Sequence, residues 1–93
     1  MKYKIEYRPK AIKFLNTISK DDKEKIQKRI SELSINPRNE QVIKLSGVKP
    51  DQYRARQGDY RILFTICNQK LIVEVIDIKT RQDAYKKWVI LKD

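Results

Sequence analysis

Histidine is absent from this chain, cysteine occurs once and glycine only twice. Without histidine, imidazole acid–base chemistry and most zinc or transition-metal sites are excluded. The lone Cys67 rules out an intrachain disulfide framework and fits a reducing compartment; its place in an apolar strand pattern reads as a buried thiol, not a nucleophile. No apolar run approaches the roughly 20 residues of a membrane span. The start, Met1–Lys2–Tyr3–Lys4, leads directly into a strand pattern without the apolar stretch of a signal peptide. A soluble, cytoplasmic protein with no membrane association is expected.

Positive charge is abundant. The 93 residues carry 22 Lys and Arg against 12 Asp and Glu, a net +10, which favours an anionic partner, nucleic acid first. The excess is not a tail: residues 1–43 and 44–93 each hold 11 basic and 6 acidic groups. Length allows one domain, 1–93, with a single modest core.

Hydrophobic periodicity gives the order β-α-α-β-β-β. Lys4–Arg8 alternates and is closed by Pro9. Ala11, Ile12, Phe14, Leu15 and Ile18 fall at helical spacing. Ser19 suits an N-cap, followed by Asp21, Asp22 and Glu24 at the positive end of a second helix that carries Ile26, Ile30 and Leu33 and stops at Asn36–Pro37. A connector through Lys44–Gly47 and Pro50–Asp51 leads to strands near 52–57, 60–67 and 71–79, and Gln82–Trp88 can add one or two helical turns. Two helices on one face of an antiparallel sheet make an α+β layer. With a turn at Asn68–Lys70, Ile62 is expected opposite Ile76 and Arg61 opposite Asp77. That register leaves Glu74 misplaced on the apolar face.

Gly58–Asp59 reads as a two-residue hairpin turn, which pairs Arg56 with Arg61 and puts Arg54, Arg56 and Arg61 on one face. Opposed arginines repel and destabilise a sheet, so the cluster reads as a site for a polyanion. Lys79 and Arg81 leave the next strand on the same face, with Tyr85 one helical turn beyond Arg81. The plain alternatives are a solvated sheet face for Arg54 and Arg56, an ion pair with Asp77 for Arg61, and rim packing for Tyr85. Lys23, Lys25, Lys28 and Arg29 flank the second helix's apolar stripe, either as ordinary solvated surface or as contacts to nucleic-acid phosphate. Trp88 reads as core-closing, and Tyr53, Tyr60 and Phe64 as packing.

The ordered set Lys44–Leu–Ser–Gly47, Tyr53–Arg–Ala–Arg56, Gly58–Asp–Tyr–Arg61 and Thr80–Arg81–(x)3–Tyr85 resembles the RelE branch of the RelE/ParE toxins over essentially the whole chain. The resemblance implies a type II toxin, a metal-independent and cofactor-free endoribonuclease that cuts mRNA in the ribosomal A site through the 2′-OH. Arg61 and Arg81 would hold the scissile phosphate, and Tyr85 would take or orient the 2′-OH proton. Arg54 and Arg56 would add positive charge. Lys44, Lys49, Lys79, Lys86, Lys23, Lys28 and Arg29 would contact RNA or ribosome. Partners would be ribosome, mRNA and a cognate antitoxin with a disordered acidic and apolar segment, held in a hetero-oligomer. Arg54 and Arg56 stand where a family pattern has lysines. Arginine is a poor acid, so the proton for the leaving group is open among Lys44, Lys49, Lys79 and water. A ParE-like gyrase inhibitor and a non-catalytic RNA-binding relative are the alternative readings.

Overall fold

The computed structural model describes residues 2–45, 47 and 49–88; Ser46 of the Lys44–Gly47 segment lies outside them. Its elements are β1 (Lys4–Tyr7), α1 (Pro9–Leu15), α2 (Lys20–Ile35), β2 (Val42–Leu45), β3 (Gln52–Gln57), β4 (Tyr60–Cys67), β5 (Ile72–Thr80) and α3 (Arg81–Lys87). The five strands form one sheet in the order β1-β5-β4-β3-β2.

Local chemistry sets the helix ends. Pro9 opens α1, where its fixed φ and missing N–H cost nothing. The Ser19 side chain accepts from the Asp22 N–H at 3.1 Å, with Asp21 and Asp22 in the first turn of α2, as expected. Both helices pack on one sheet face: Ala11, Leu15, Ile26, Ile30 and Leu33 meet Ala55, Ile62, Phe64, Val73, Val75 and Ile78. Arg29 shares that buried stripe, at 5% exposure. Its Nε donates to the Arg56 carbonyl at 3.1 Å and its Nη1 pairs with Glu32 at 3.2 Å, so it staples α2 to β3 instead of facing solvent.

Three expectations are corrected. The connector contains a strand, β2, paired antiparallel with β3 through Val42↔Ala55 and Ile43↔Arg54. The sheet is not wholly antiparallel, because β1 runs parallel to β5 at the edge. The β4–β5 register also differs: Cys67 pairs with Ile72, and a bulge between Leu63 and Phe64 then brings Leu63 to Asp77, Ile62 to Ile78 and Arg61 to Lys79. The turn is therefore one residue longer than expected, and Ile76 is the extra residue of the bulge. Val73 and Val75 take the core positions, and Glu74 leaves the apolar face to pair with Arg8 at 3.2 Å.

The opposite face has its own small cluster. Leu45 and Leu63 lie under Ala84 and Trp88 of the α3 segment, with Ile76 beside them. Trp88 closes this cluster at 8% exposure.

Candidate functional site

On this second face the register lines up three cations across the sheet: Arg56 on β3, Arg61 on β4 and Lys79 on β5. Neighbouring strands lie about 4.8 Å apart, so the row spans about 10 Å. Arg54 sits one rung away, opposite Leu63 and Ile43. Like charges placed abreast cost stability.

The four cations are not equivalent. Arg61 is 1% exposed and Arg54 6%, whereas Arg56 is open to solvent. The Arg61 Nη1 donates to the carbonyls of Gly58 and Tyr60, both at 3.0 Å. Arg61 thereby braces the hairpin turn, whose Gly58 has φ +56°. Lys79 Nζ lies 3.4 Å from Asp77 Oδ2. That carboxylate is 3% exposed and also accepts from the Ile78 N–H (2.9 Å) and Trp88 Nε1 (3.1 Å), with Lys10 Nζ 3.4 Å away. Asp77 is therefore the buried node that ties α1, β5 and the end of α3 together, and the expected cross-strand pairing of Arg61 with Asp77 does not form.

Thr80 caps α3, accepting from the Asp83 N–H at 3.2 Å, and the Arg81 N–H donates to the Asp59 carbonyl at 2.6 Å. These contacts fix the start of α3 on the hairpin turn. One turn later Tyr85 reaches Arg81: Arg81 Nε donates to the phenolic oxygen at 3.4 Å, and its Cζ lies 5.4 Å from the ring centroid. Both side chains are exposed. They line a cleft of ≈ 520 Å³ with Asp59, Thr80 and Gln82.

The remaining predicted site residues are dispersed. Lys44 alternates with Leu45, so it points to the helix side of β2, where it pairs with Asp51 at 3.3 Å. Lys49 lies 3.9 Å from the same carboxylate. Lys23 donates to Asn16 at 3.2 Å; it and Lys28 belong to α2, on the other side of the sheet from the cation row. Arg29 is the buried staple described above. Lys86 is exposed on α3.

The sequence did not signal Asp59 and Gln82 in the cleft, nor Lys10 at Asp77. Asp59 was legible only as a turn residue, and its part here is played by its backbone carbonyl. Beyond the row, Tyr60 Oη donates to Asp22 at 2.7 Å on the helix side. That hydrogen bond, with burial and the nearby carboxylates of Asp22 and Asp59, raises the phenol's pKa above its ordinary 10.0.

Chemically, the face offers fixed guanidinium charge, an ammonium and a phenol in contact with an arginine. Among the described residues, no group of three or more His, Cys, Asp or Glu side chains is placed to hold a metal, and no helix is long and apolar enough to cross a membrane.

A family model described as "ParE toxin of type II toxin-antitoxin system, parDE" matches residues 5–85. Among solved structures, the RelE–RelB complex of Pyrococcus horikoshii OT3 is 27% identical, with a TM-score of 0.76 over 87% of this chain and 97% of that one. A variant of the Escherichia coli toxin RelE in the free state is 26% identical, with a TM-score of 0.76 over 96% of each chain. The RelBE2 toxin–antitoxin complex of Mycobacterium tuberculosis shares the fold at 20% identity and a TM-score of 0.78, over 87% of this chain and 100% of that one. No curated protein matches the chain by sequence.

Proposed function

The chain belongs to the ParE toxin family of type II toxin–antitoxin systems, within the RelE/ParE superfamily, and from that premise we propose that it is a ribosome-dependent endoribonuclease cutting mRNA in the A site. The observation that carries this reading is the Arg81–Tyr85 pair in an open cleft at the end of the Arg56–Arg61–Lys79 row. A protein that only docks on another protein has little use for a phenol held against a guanidinium beside three aligned cations.

In this reading Tyr85 receives or orients the proton of the 2′-OH, whose oxygen attacks the adjacent phosphorus. The bond to the 5′-oxygen breaks, leaving a 2′,3′-cyclic phosphate, and the departing oxygen takes its proton from Lys79 or from water. Arg81 and Arg56 are the exposed groups able to contact phosphate oxygens, and the planar guanidinium suits two parallel hydrogen bonds. Arg61 contributes differently. Held against the Gly58 and Tyr60 carbonyls, it is a fixed positive group beneath the face, toward which negative charge develops.

The P. horikoshii and M. tuberculosis relatives were solved with antitoxins. This toxin has a corresponding partner, a disordered segment whose acidic residues match the net charge of +10. It acts in the cytoplasm, where ribosomes and message meet.

Primer extension on a defined message, ribosome-bound and naked in parallel, tests the proposal. Cleavage at the A-site codon only on ribosomes supports it; intact message in both samples, with folded protein, overturns it. The family model's ParE description favours a second reading, inhibition of DNA gyrase. A supercoiling assay separates the two, since gyrase inhibition without message cleavage would replace the ribonuclease reading.

A further inference from the structure

Across the sheet from the Arg81–Tyr85 cleft lies a second depression of ≈ 560 Å³, lined by Glu40, Gln41, Ile43, Arg54 and Arg56. We infer that it is a subsite for one nucleotide of single-stranded RNA, selecting bases that carry an exocyclic amino group. The inference rests on the ribonuclease reading and adds to it a specificity pocket.

Continuity is the first argument. Arg56 belongs both to this depression and to the cation row, so it joins the two clefts on one sheet face. From β3 to β5 is about 10 Å, a distance that an extended RNA backbone crossing the strands covers in about two nucleotides. Arg56, the exposed arginine of the two, then takes the phosphate of the nucleotide that enters the depression.

Polarity within the depression is the second. Its arginines come from β3, and its carboxylate, Glu40, precedes β2. A phosphate is attracted to the first and repelled by the second, so the nucleotide has one favourable orientation, with its base toward Glu40. A carboxylate only accepts hydrogen bonds, and a base edge supplies the donor through cytosine N4, adenine N6 or guanine N2. Uracil has no exocyclic amino group. Gln41 both donates and accepts, and completes the edge contact.

Ile43 is the third. A single exposed isoleucine is unremarked on most surfaces. This one, 49% exposed, stands in a cleft whose other four lining residues are polar or charged, directly opposite Arg54. Its side chain offers the flat face of a base an apolar contact that water does not replace.

The test titrates uniformly 15N-labelled protein with four short 2′-O-methylated oligoribonucleotides that differ at one base, and reads backbone amide shifts. Shifts at 40–43 and 54–56, with uracil bound about tenfold more weakly than cytosine, are expected. Glu40→Ala should abolish that preference, and Ile43→Ser should weaken all four oligonucleotides alike. RNA-induced shifts that avoid these residues, or a base preference that survives Glu40→Ala, would overturn the subsite. So would an antitoxin peptide that moves these amides when RNA does not, because the cleft would then be a protein-docking surface. In parallel, ribosomes programmed with variable A-site codons report cleavage. Base-dependent shifts without ribosomal cleavage would retain the subsite and reject the ribonuclease reading, so the two failures remain distinct.

Discussion

The two faces of the sheet are made by the same strands and obey different rules. Toward α1 and α2, alternate residues are apolar and buried, with Phe64, Ile62, Val73 and Val75 all at 0% exposure. Toward α3, the intervening residues put Arg56, Arg61 and Lys79 abreast over a cluster far too small to serve as the main core. One face is arranged for stability. The other sets like charges abreast, with Lys79 offset by the Asp77 carboxylate and Arg56 left open to solvent.

The largest effect should come from breaking the first face. Phe64→Ala removes a fully buried ring and should cost about 3–5 kcal/mol, read by denaturant unfolding. A loss below about 1 kcal/mol would mean that the core lies elsewhere. On the second face, Arg81→Ala should lower ribosomal cleavage by about 10²–10³-fold while the melting temperature stays close to wild type. Parallel loss of fold and activity would instead make Arg81 structural. Arg29→Ala tests the staple between α2 and β3. Losing its bond to the Arg56 carbonyl should cost about 1–3 kcal/mol, and a salt-dependent loss of ribosome binding with unchanged stability would return Arg29 to the RNA contacts.

Smaller effects sharpen the contrast. Arg56→Thr removes a like-charge pair with Arg61 and should stabilise the fold by a few tenths of a kcal/mol while weakening RNA binding. If both properties fall together, the repulsion argument fails. The smallest effect is at alkaline pH. Because the folded-state pKa of Tyr60 is raised, its stabilising contribution is complete below pH 10.0 and is lost as pH climbs through the higher folded value. Tyr60→Phe should therefore flatten that part of the stability–pH curve, and an unchanged slope would assign the loss to other groups.

The Arg56–Arg61 pair was legible because it needed only strand alternation and a two-residue turn, both local, whereas Lys79 comes beside Arg61 only through the bulged β4–β5 register. What lay beyond reading was governed by distant packing. The four residues 68–71 between β4 and β5 end in Leu71 at φ +53°, a conformation that leucine rarely adopts and no pattern announces. The Leu63 bulge then displaced Asp77 from Arg61. β2, four residues long, is too short for its alternation to stand out from a connector. Burial of individual arginines was equally hidden: Arg56 stays open while Arg61 beside it is sealed, and Arg29, which hydropathy alone assigns to solvent, falls on the buried stripe of α2.

Trp88 is the chain's single tryptophan, and its indole N–H is held by the buried Asp77 carboxylate. The molecule therefore carries a built-in optical gauge. Indole emission depends on the polarity and hydrogen bonding around the ring, so its wavelength reports directly whether the segment bearing Arg81 and Tyr85 is seated on the sheet, without a label and in any complex whose partner lacks tryptophan.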